Sequence, residues 1–255
     1  MSARIETQND RLIVLNGNQE KRGALSPELY AAIKQASADA DGGGIRAVIL
    51  TADGPFFCAG GDLTMLRENH DRSESERRDR IDELHNVVRA IRECSVPFIA
   101  AVEGGAAGAG ASLALAADFI IAAEGAQFTA AYVKAGLTPD GGLTHSLATA
   151  LPRALVMEMC VLGRPVSASR LATLGAINAV VPAGQTLVAA NELADTLAAG
   201  PPQAQLAIRR LVSSAYESSF NAQLNSERDT MAVASGAPEA AEGIAAFLEK
   251  RAPGY

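Results

Sequence analysis

VEGGAAGAGASLALAAD, residues 102–118, decides how this chain folds. It leaves a strand at Val102, passes through a loop of glycine and alanine, and enters a helix of small residues. The residues just before it, 97–102 (PFIAAV), form an apolar run of strand length, and so do those that follow, 118–123 (DFIIAA). Strand, helix and strand in direct succession make a crossover unit, whose strands lie parallel in one sheet. The glycine/alanine loop leaves backbone N–H groups bare at the start of the helix, where the aligned peptide dipoles favour negative charge.

The same alternation extends outward. Towards the N-terminus, a helical pattern near 77–93 precedes the first strand of the unit, and Ala47–Leu50 (AVIL) is a short buried strand. Ser26-Pro27-Glu28 is a helix start, a capping hydroxyl followed by proline at the first helical position. That helix runs to about Ala40, where Asp41-Gly-Gly-Gly44 breaks it. Residues 3–7 and 11–15 read as a strand pair across Asn9-Asp10. Towards the C-terminus, helical patterns dominate from Thr138, at 141–150, 153–162, 167–174, 186–199, 201–217 and 238–250. The short strand Ala176–Val181 interrupts them. The expectation is an α/β core over residues 1–190 and a helical region over 191–255. His70–Arg80 (HDRSESERRDR) reads as a solvated loop and helix face, or else as a flap beside a pocket.

Composition narrows the function. Of the 255 residues, 48% are hydrophobic and 20% charged, which suffices for a core. Tryptophan is absent and aromatic residues make up 4%, so that core is aliphatic and rich in alanine. The net charge of −7 disfavours binding to a nucleic-acid backbone. The three cysteines, Cys58, Cys94 and Cys160, fit neither a disulfide framework nor a zinc site and read as reduced thiols in a cytoplasmic protein. The opening MSARIETQNDRL has no apolar signal core. The most apolar stretch, Ala106–Ala123, is interrupted by Ser112, Asp118 and glycines and does not read as a membrane span.

A second glycine-rich stretch, GPFFCAGGDL over residues 54–63, also runs from apolar residues into a helix-like segment. Neither stretch matches a dinucleotide fingerprint or a phosphate loop: Gly108-Ala-Gly110 is followed by Ala111, Ser112 and Leu113, and no Gly-Lys pair occurs. Gly110-Ala-Ser112-Leu-Ala114 falls one glycine short of a hydrolase elbow. Close packing of helix on strand would explain either stretch alone. Together they suggest two backbone donors converging on one oxygen, an oxyanion hole.

These residues resemble those of a known family. GPFFCAGGDL is similar to the first signature of the enoyl-CoA hydratase/isomerase (crotonase) superfamily, and Val102–Phe128 to its second. Asn16–Ser26 (NGNQEKRGALS) resembles its opening segment and Glu242–Pro253 (EGIAAFLEKRAP) its closing helix. The resemblance implies a crotonase-like ββα spiral α/β fold with a helical C-terminal trimerisation region, assembled as a homotrimer or a dimer of trimers. It implies an acyl-CoA thioester as substrate, with coenzyme A part of that substrate, no prosthetic group and no metal. The thioester carbonyl would sit between the N–H groups of Gly61 and Ala109. Gly108, Ser112, Tyr132 and Leu63 would line the acyl pocket. Coenzyme A would meet Lys21, Arg22, the segment Ala59, Gly60 and Asp62, and Phe247 and Lys250 of the tail.

The chain departs from the hydratase pattern. Typical hydratases carry two glutamates that handle water, and the matching places here are Ser112 and Tyr132. A carboxylate occurs instead in GLTPDGG, residues 136–142. Asp140 there is either a helix N-cap or the acid/base of a double-bond isomerase, which needs only one such group. GLTPDGG and AYVKAG also resemble relatives from aromatic-acid breakdown, ring isomerases and ring-opening hydrolases among them. The favoured expectation is isomerisation with Asp140 as the proton shuttle. The alternatives are a hydratase using Asp140 and ordered water, a hydrolase with Ser112 as nucleophile, and a non-catalytic binding protein of the same fold.

Overall fold

The structure is a computed structural model that describes residues 2–255. Two antiparallel strands open the chain, β1 (Ala3–Gln8) and β2 (Arg11–Asn16), joined at Asn9, whose φ is 54°. Helix α1 (Pro27–Ala40) follows, capped by the Ser26 hydroxyl, which accepts from the Leu29 N–H at 3.2 Å. Then come β3 (Ala47–Ala52), the short α2 (Leu63–Arg67), α3 (Glu74–Glu93), β4 (Phe98–Val102), β5 (Gly105–Ala107), α4 (Ala109–Ala116), β6 (Phe119–Ala123) and β7 (Gln127–Thr129). The remainder is α5 (Leu143–Ala150), α6 (Arg153–Leu162), β8 (Val166–Ser167), α7 (Ala168–Thr173), β9 (Ala179–Val181), α8 (Thr186–Ala198), α9 (Pro202–Ala215), α10 (Phe220–Ala234) and α11 (Pro238–Glu249).

The main sheet has the order β1-β2-β3-β4-β6-β9, parallel throughout except for the β1 edge. This is the arrangement that the strand–helix–strand pattern around residues 102–118 predicts. A parallel sheet buried on both faces requires apolar residues at successive positions, not alternate ones. Residues Leu12, Val14, Val48, Leu50, Phe98, Ala100 and Val102 join the larger core with α1, α3, α4 and α5. Their neighbours Ile13, Leu15, Ala47, Ile49, Ile99 and Ala101 face the other way, onto Ala190 and Ala194 of α8. Alanine on both sides of that second interface lets α8 approach the sheet closely. Arg11, 5% exposed, anchors α8 by donating to the Asn191 carbonyl at 2.8 Å and pairing with Asp195.

Three features differ from the sequence reading. A second sheet, β5-β7-β8, forms from strands of two or three residues, too short to show any hydrophobic period. Helix α3 starts at Glu74, earlier than 77, because Ser73 and Glu76 form a reciprocal capping box. The charged run from His70 therefore divides between a short turn and the first turns of α3. Helix α10 is not expected from the sequence pattern. Its sequence FNAQLNSERDTMAVA lacks a clear apolar stripe, and the Ser219 side chain starts it by accepting from the Ala222 N–H. None of the residues of α9 and α10 is buried, and α11 buries only Ala246. Among the described residues, no helix is long and apolar enough to cross a membrane.

Candidate active site

The two glycine-rich stretches meet. Cys58 bridges Ala106 of β5: the Ala107 N–H donates to the Cys58 carbonyl at 2.9 Å, and the Cys58 N–H to Gly105 at 3.4 Å. The chain then turns at Gly60, with φ of 92°, so closely against the start of α4 that a β-carbon there would lie 2.7 Å from the Ala107 carbonyl oxygen and 3.2 Å from the Ala109 nitrogen. Gly108 takes φ 52° and ψ −130°, a conformation open to glycine alone, and no side chain caps the helix after it. The N–H groups of Gly61 and Ala109 consequently donate to no atom of the described residues. A third segment buttresses them. Asn16 donates to the carbonyls of Gly23 and Phe57, while Leu25 N–H donates to Gly60 and Ala59 N–H to Arg22.

Both free donors border a cleft of about 540 Å³, which is ligand-sized. Ala59, Asp62, Leu63, Gly108, Tyr132 and Asp140 share its wall with Gly61 and Ala109. Leu25, Met65, Leu66, Ile81, Leu84 and Leu137 make much of the rest apolar. Asp62 caps α2 through the Thr64 N–H at 2.9 Å and pairs with Lys21 at 2.6 Å, a bond that holds its carboxyl below the usual range. Lys21 thus stands at the rim. The Arg22 guanidinium lies 4.2 Å from the centre of the Phe56 ring.

Asp140 is not a helix cap. Gly141 and Gly142, both with positive φ, separate it from α5, whose N-cap is Gly142 with no side-chain bond. Its carboxylate instead accepts from the Tyr132 hydroxyl at 2.7 Å. Burial pushes the Asp140 carboxyl above its ordinary pKa, opposed first by that hydrogen bond and then by His85. The Tyr132 and Tyr30 phenols are both pushed up, first by burial and then by the Asp140 charge, so both keep their protons at neutral pH.

Two expectations need correction. Ser112 does not border the cleft. It is 1% exposed, behind the wall, with its hydroxyl 3.0 Å from the Asp140 carbonyl oxygen and 3.1 Å from the Tyr132 hydroxyl. It has no approach to a bound acyl group. Phe247 and Lys250 lie away from the cleft of their own chain; Phe247 is 84% exposed at the end of α11. Sequence reading missed Tyr30 and His85, which border the cleft from α1 and α3. Each sits one position after a core leucine, Leu29 and Leu84, at the edge of a buried helix face, and no local pattern marks such a place. The Cys58 thiol, pushed up to about 12 by burial, is no nucleophile at neutral pH.

Two unpaired backbone N–H groups and a half-buried carboxylate thus line one cleft. Residues 10–255 match the family described as Enoyl-CoA hydratase/isomerase. The chain belongs to that family. It is 35% identical to a probable enoyl-CoA hydratase of Rhodobacter capsulatus, over 96% of this chain and 91% of that one. It is 34% identical to the 1,2-epoxyphenylacetyl-CoA isomerase of Escherichia coli, over 92% and 91%. The crystal structure of an enoyl-CoA hydratase from Polaromonas sp. JS666 superposes with a TM-score of 0.96 at 43% identity, covering 99% of both chains. The crotonase-like α/β fold with a helical C-terminal region is therefore that of this protein. It is an enoyl-CoA hydratase/isomerase family enzyme, and its family acts on acyl-CoA thioesters.

Proposed function

We propose that this enzyme isomerises a double bond in an acyl-CoA, with Asp140 carrying the proton and the N–H groups of Gly61 and Ala109 stabilising the thioester enolate. The observation that carries the reading is the half-buried Asp140 carboxylate, held in the cleft by Tyr132, in a chain with Ser112 and Tyr132 where hydratases have glutamates. Asp140 takes a proton from a carbon next to the double bond or thioester. The electron pair moves onto the carbonyl oxygen, and the two backbone donors meet the charge there; one such donor is worth ~3 kcal/mol. The protonated Asp140 returns the proton at another carbon, and the charge leaves the oxygen. No water is consumed, and no metal or prosthetic group takes part.

The relatives named as hydratases favour a second reading, in which Asp140 and an ordered water hydrate the double bond. The isomerase in Escherichia coli and the missing glutamate pair favour the first. Coenzyme A would lie along Ala59, Gly60 and Asp62 beside Lys21 and Arg22. Because Phe247 and Lys250 are remote from the cleft of their own chain, they would reach coenzyme A only from a second copy. A trimer or dimer of trimers built on α9–α11 accords with the exposed Ile208, Val212, Phe220, Leu224, Ile244 and Leu248. Free thiols at Cys58, Cys94 and Cys160 accord with a cytoplasmic setting.

Incubation with 2-enoyl- and 3-enoyl-CoAs in heavy water separates the readings. Isomerisation gives the shifted double bond, with deuterium at the carbons that exchange and no gain of water. A hydroxyacyl-CoA as the first product would overturn it in favour of hydration. Loss of activity in Asp140→Asn with retained acyl-CoA binding is expected, and full activity of that variant would overturn the role of Asp140.

A further inference from the structure

The two places that carry glutamates in hydratases are not idle here. Ser112 on α4 and Tyr132 on the turn Ala131–Ala135 have their hydroxyls 3.1 Å apart, and both reach the residue between that turn and α5. Tyr132 donates to one carboxylate oxygen of Asp140 at 2.7 Å, and Ser112 is 3.0 Å from the Asp140 carbonyl oxygen. The proton count fixes the direction of these bonds. The single Tyr132 proton goes to the carboxylate, so the Ser112 proton goes to the Asp140 carbonyl or to the Tyr132 oxygen, both acceptors.

We propose that Tyr132, braced by Ser112, is a positioning residue that aims the Asp140 carboxylate into the cleft and keeps it ionised. The inference rests on Asp140 as the proton carrier. With Oδ1 bound to Tyr132, Oδ2 is the oxygen left to take the substrate proton. A buried carboxylate drifts towards its neutral form, which is useless as a base; a phenol that donates to the charged form opposes that drift. The other titratable groups that face Asp140 are Tyr30 from α1, itself held protonated, and His85 from α3. Arg80 and Glu83 of α3 act on Tyr30. Tyr132 is the side chain that donates to the carboxylate, beside the backbone N–H of Asp140 itself.

Tyr132→Phe removes one oxygen and keeps the ring. The test titrates the Asp140 carboxyl by carbon NMR on aspartate-labelled protein, with Asp140→Asn identifying the signal, and records the pH profile of turnover. In Tyr132→Phe the Asp140 midpoint and the acid limb of kcat/KM move together to higher pH. At neutral pH kcat falls by about 10-fold or more, the change expected from losing a hydrogen bond to a charged group, while KM for the acyl-CoA changes little. Ser112→Ala moves the midpoint the same way by less, and Ser112→Thr restores it. An unmoved Asp140 midpoint in a folded Tyr132→Phe protein overturns the inference, whether or not turnover falls. An active Asp140→Asn overturns the proposed base instead, and the NMR titration is independent of that result.

Discussion

Gly110, the second residue of α4, packs its bare Cα against Cys58: a β-carbon there would fall 2.4 Å from the Cys58 carbonyl oxygen and 2.8 Å from its sulfur. Ala109, one of the two proposed oxyanion donors, precedes it, and Gly61, the other, follows Cys58 by three residues. The distance between the donors is therefore set by a contact that only glycine permits. Gly110→Ala should push α4 away from the Cys58 strand, because the oxygen it meets belongs to the main chain and has no rotamer to change. Overpacking of this kind costs about 1–3 kcal/mol, or about 2–4 °C in Tm per kcal/mol for a chain of this size. The N–H of Ala109 moves with the helix, so kcat/KM should fall by about 10-fold or more, towards the ~3 kcal/mol of a whole donor. Thermal melts and acyl-CoA turnover check both, and an unchanged kcat/KM would separate the packing of α4 from the oxyanion site.

Ser112 differs from a nucleophile in where its hydroxyl points. It serves Asp140 and Tyr132 behind the cleft wall. Mass spectrometry of the protein after rapid quenching with substrate should therefore show no acyl adduct. Ser112→Ala should lose less than about 10-fold in turnover and on the order of 1 kcal/mol in stability, the usual net worth of one buried hydrogen bond. An adduct mapped to Ser112 would reinstate the hydrolase.

Much of this arrangement is legible in the chain because its determinants are local. The parallel sheet follows from apolar strands such as Phe98–Val102 and Phe119–Ala123 around a small-residue helix. Bare N–H groups follow from glycine at 60, 61, 108 and 110. What stays hidden is long-range. The short second sheet depends on pairing between Gly105–Ala107, Gln127–Thr129 and Val166–Ser167, far apart in sequence. Tyr30 and His85 enter the cleft only because α1 and α3 pack together. Asp140 beside glycine looks like a cap from its neighbours alone; two glycines of positive φ carry it off the helix axis and turn it to Tyr132.

Lys21 pairs with Asp62 of the cleft wall, and Arg22, the next residue, is stacked on Phe56. If they hold the phosphates of coenzyme A, their interaction is equal in the ground state and the transition state. Lys21→Ala and Arg22→Ala should then raise KM by about 5–10-fold with kcat nearly constant. Added salt should raise KM in the parent and much less in the double variant, since exposed charges are screened. Steady-state kinetics at two ionic strengths decide it; a fall in kcat alone would move these residues from binding to structure.

The exposed apolar side chains of α11, Ile244, Phe247 and Leu248, are 60%, 84% and 74% exposed in the single chain. Contiguous apolar surface of this kind marks an interface. Light scattering should give a multiple of three chains for the parent protein. Leu248→Asp should shift the mass towards one chain and raise KM as Phe247 and Lys250 of the neighbour are lost. A parent protein that stays monomeric at micromolar concentration would end the trimer reading.

Asp140→Asn should be dead and yet sturdier. The carboxyl of Asp140 has its pKa raised in the folded protein, chiefly by burial. A raised acid binds more protons folded than unfolded at pH values between its two pKa values. Stability then falls as pH rises through that window, from the ordinary carboxyl value of 3.8 to the raised folded one, and stays lower above it. Asparagine has nearly the same shape, still accepts from Tyr132 through its amide oxygen, and carries no charge to desolvate. The gap in stability between Asp140→Asn and the parent should therefore be smallest below pH 4, widen as pH rises through the window, and level off at neutral pH with the variant the more stable. Urea titrations at a series of pH values read this gap directly. Turnover should meanwhile drop by ~10²-fold or more, as loss of a general base does. A variant less stable than the parent at neutral pH would mean that the carboxylate is a structural ion held by more than Tyr132, and that burial is not what raises its pKa.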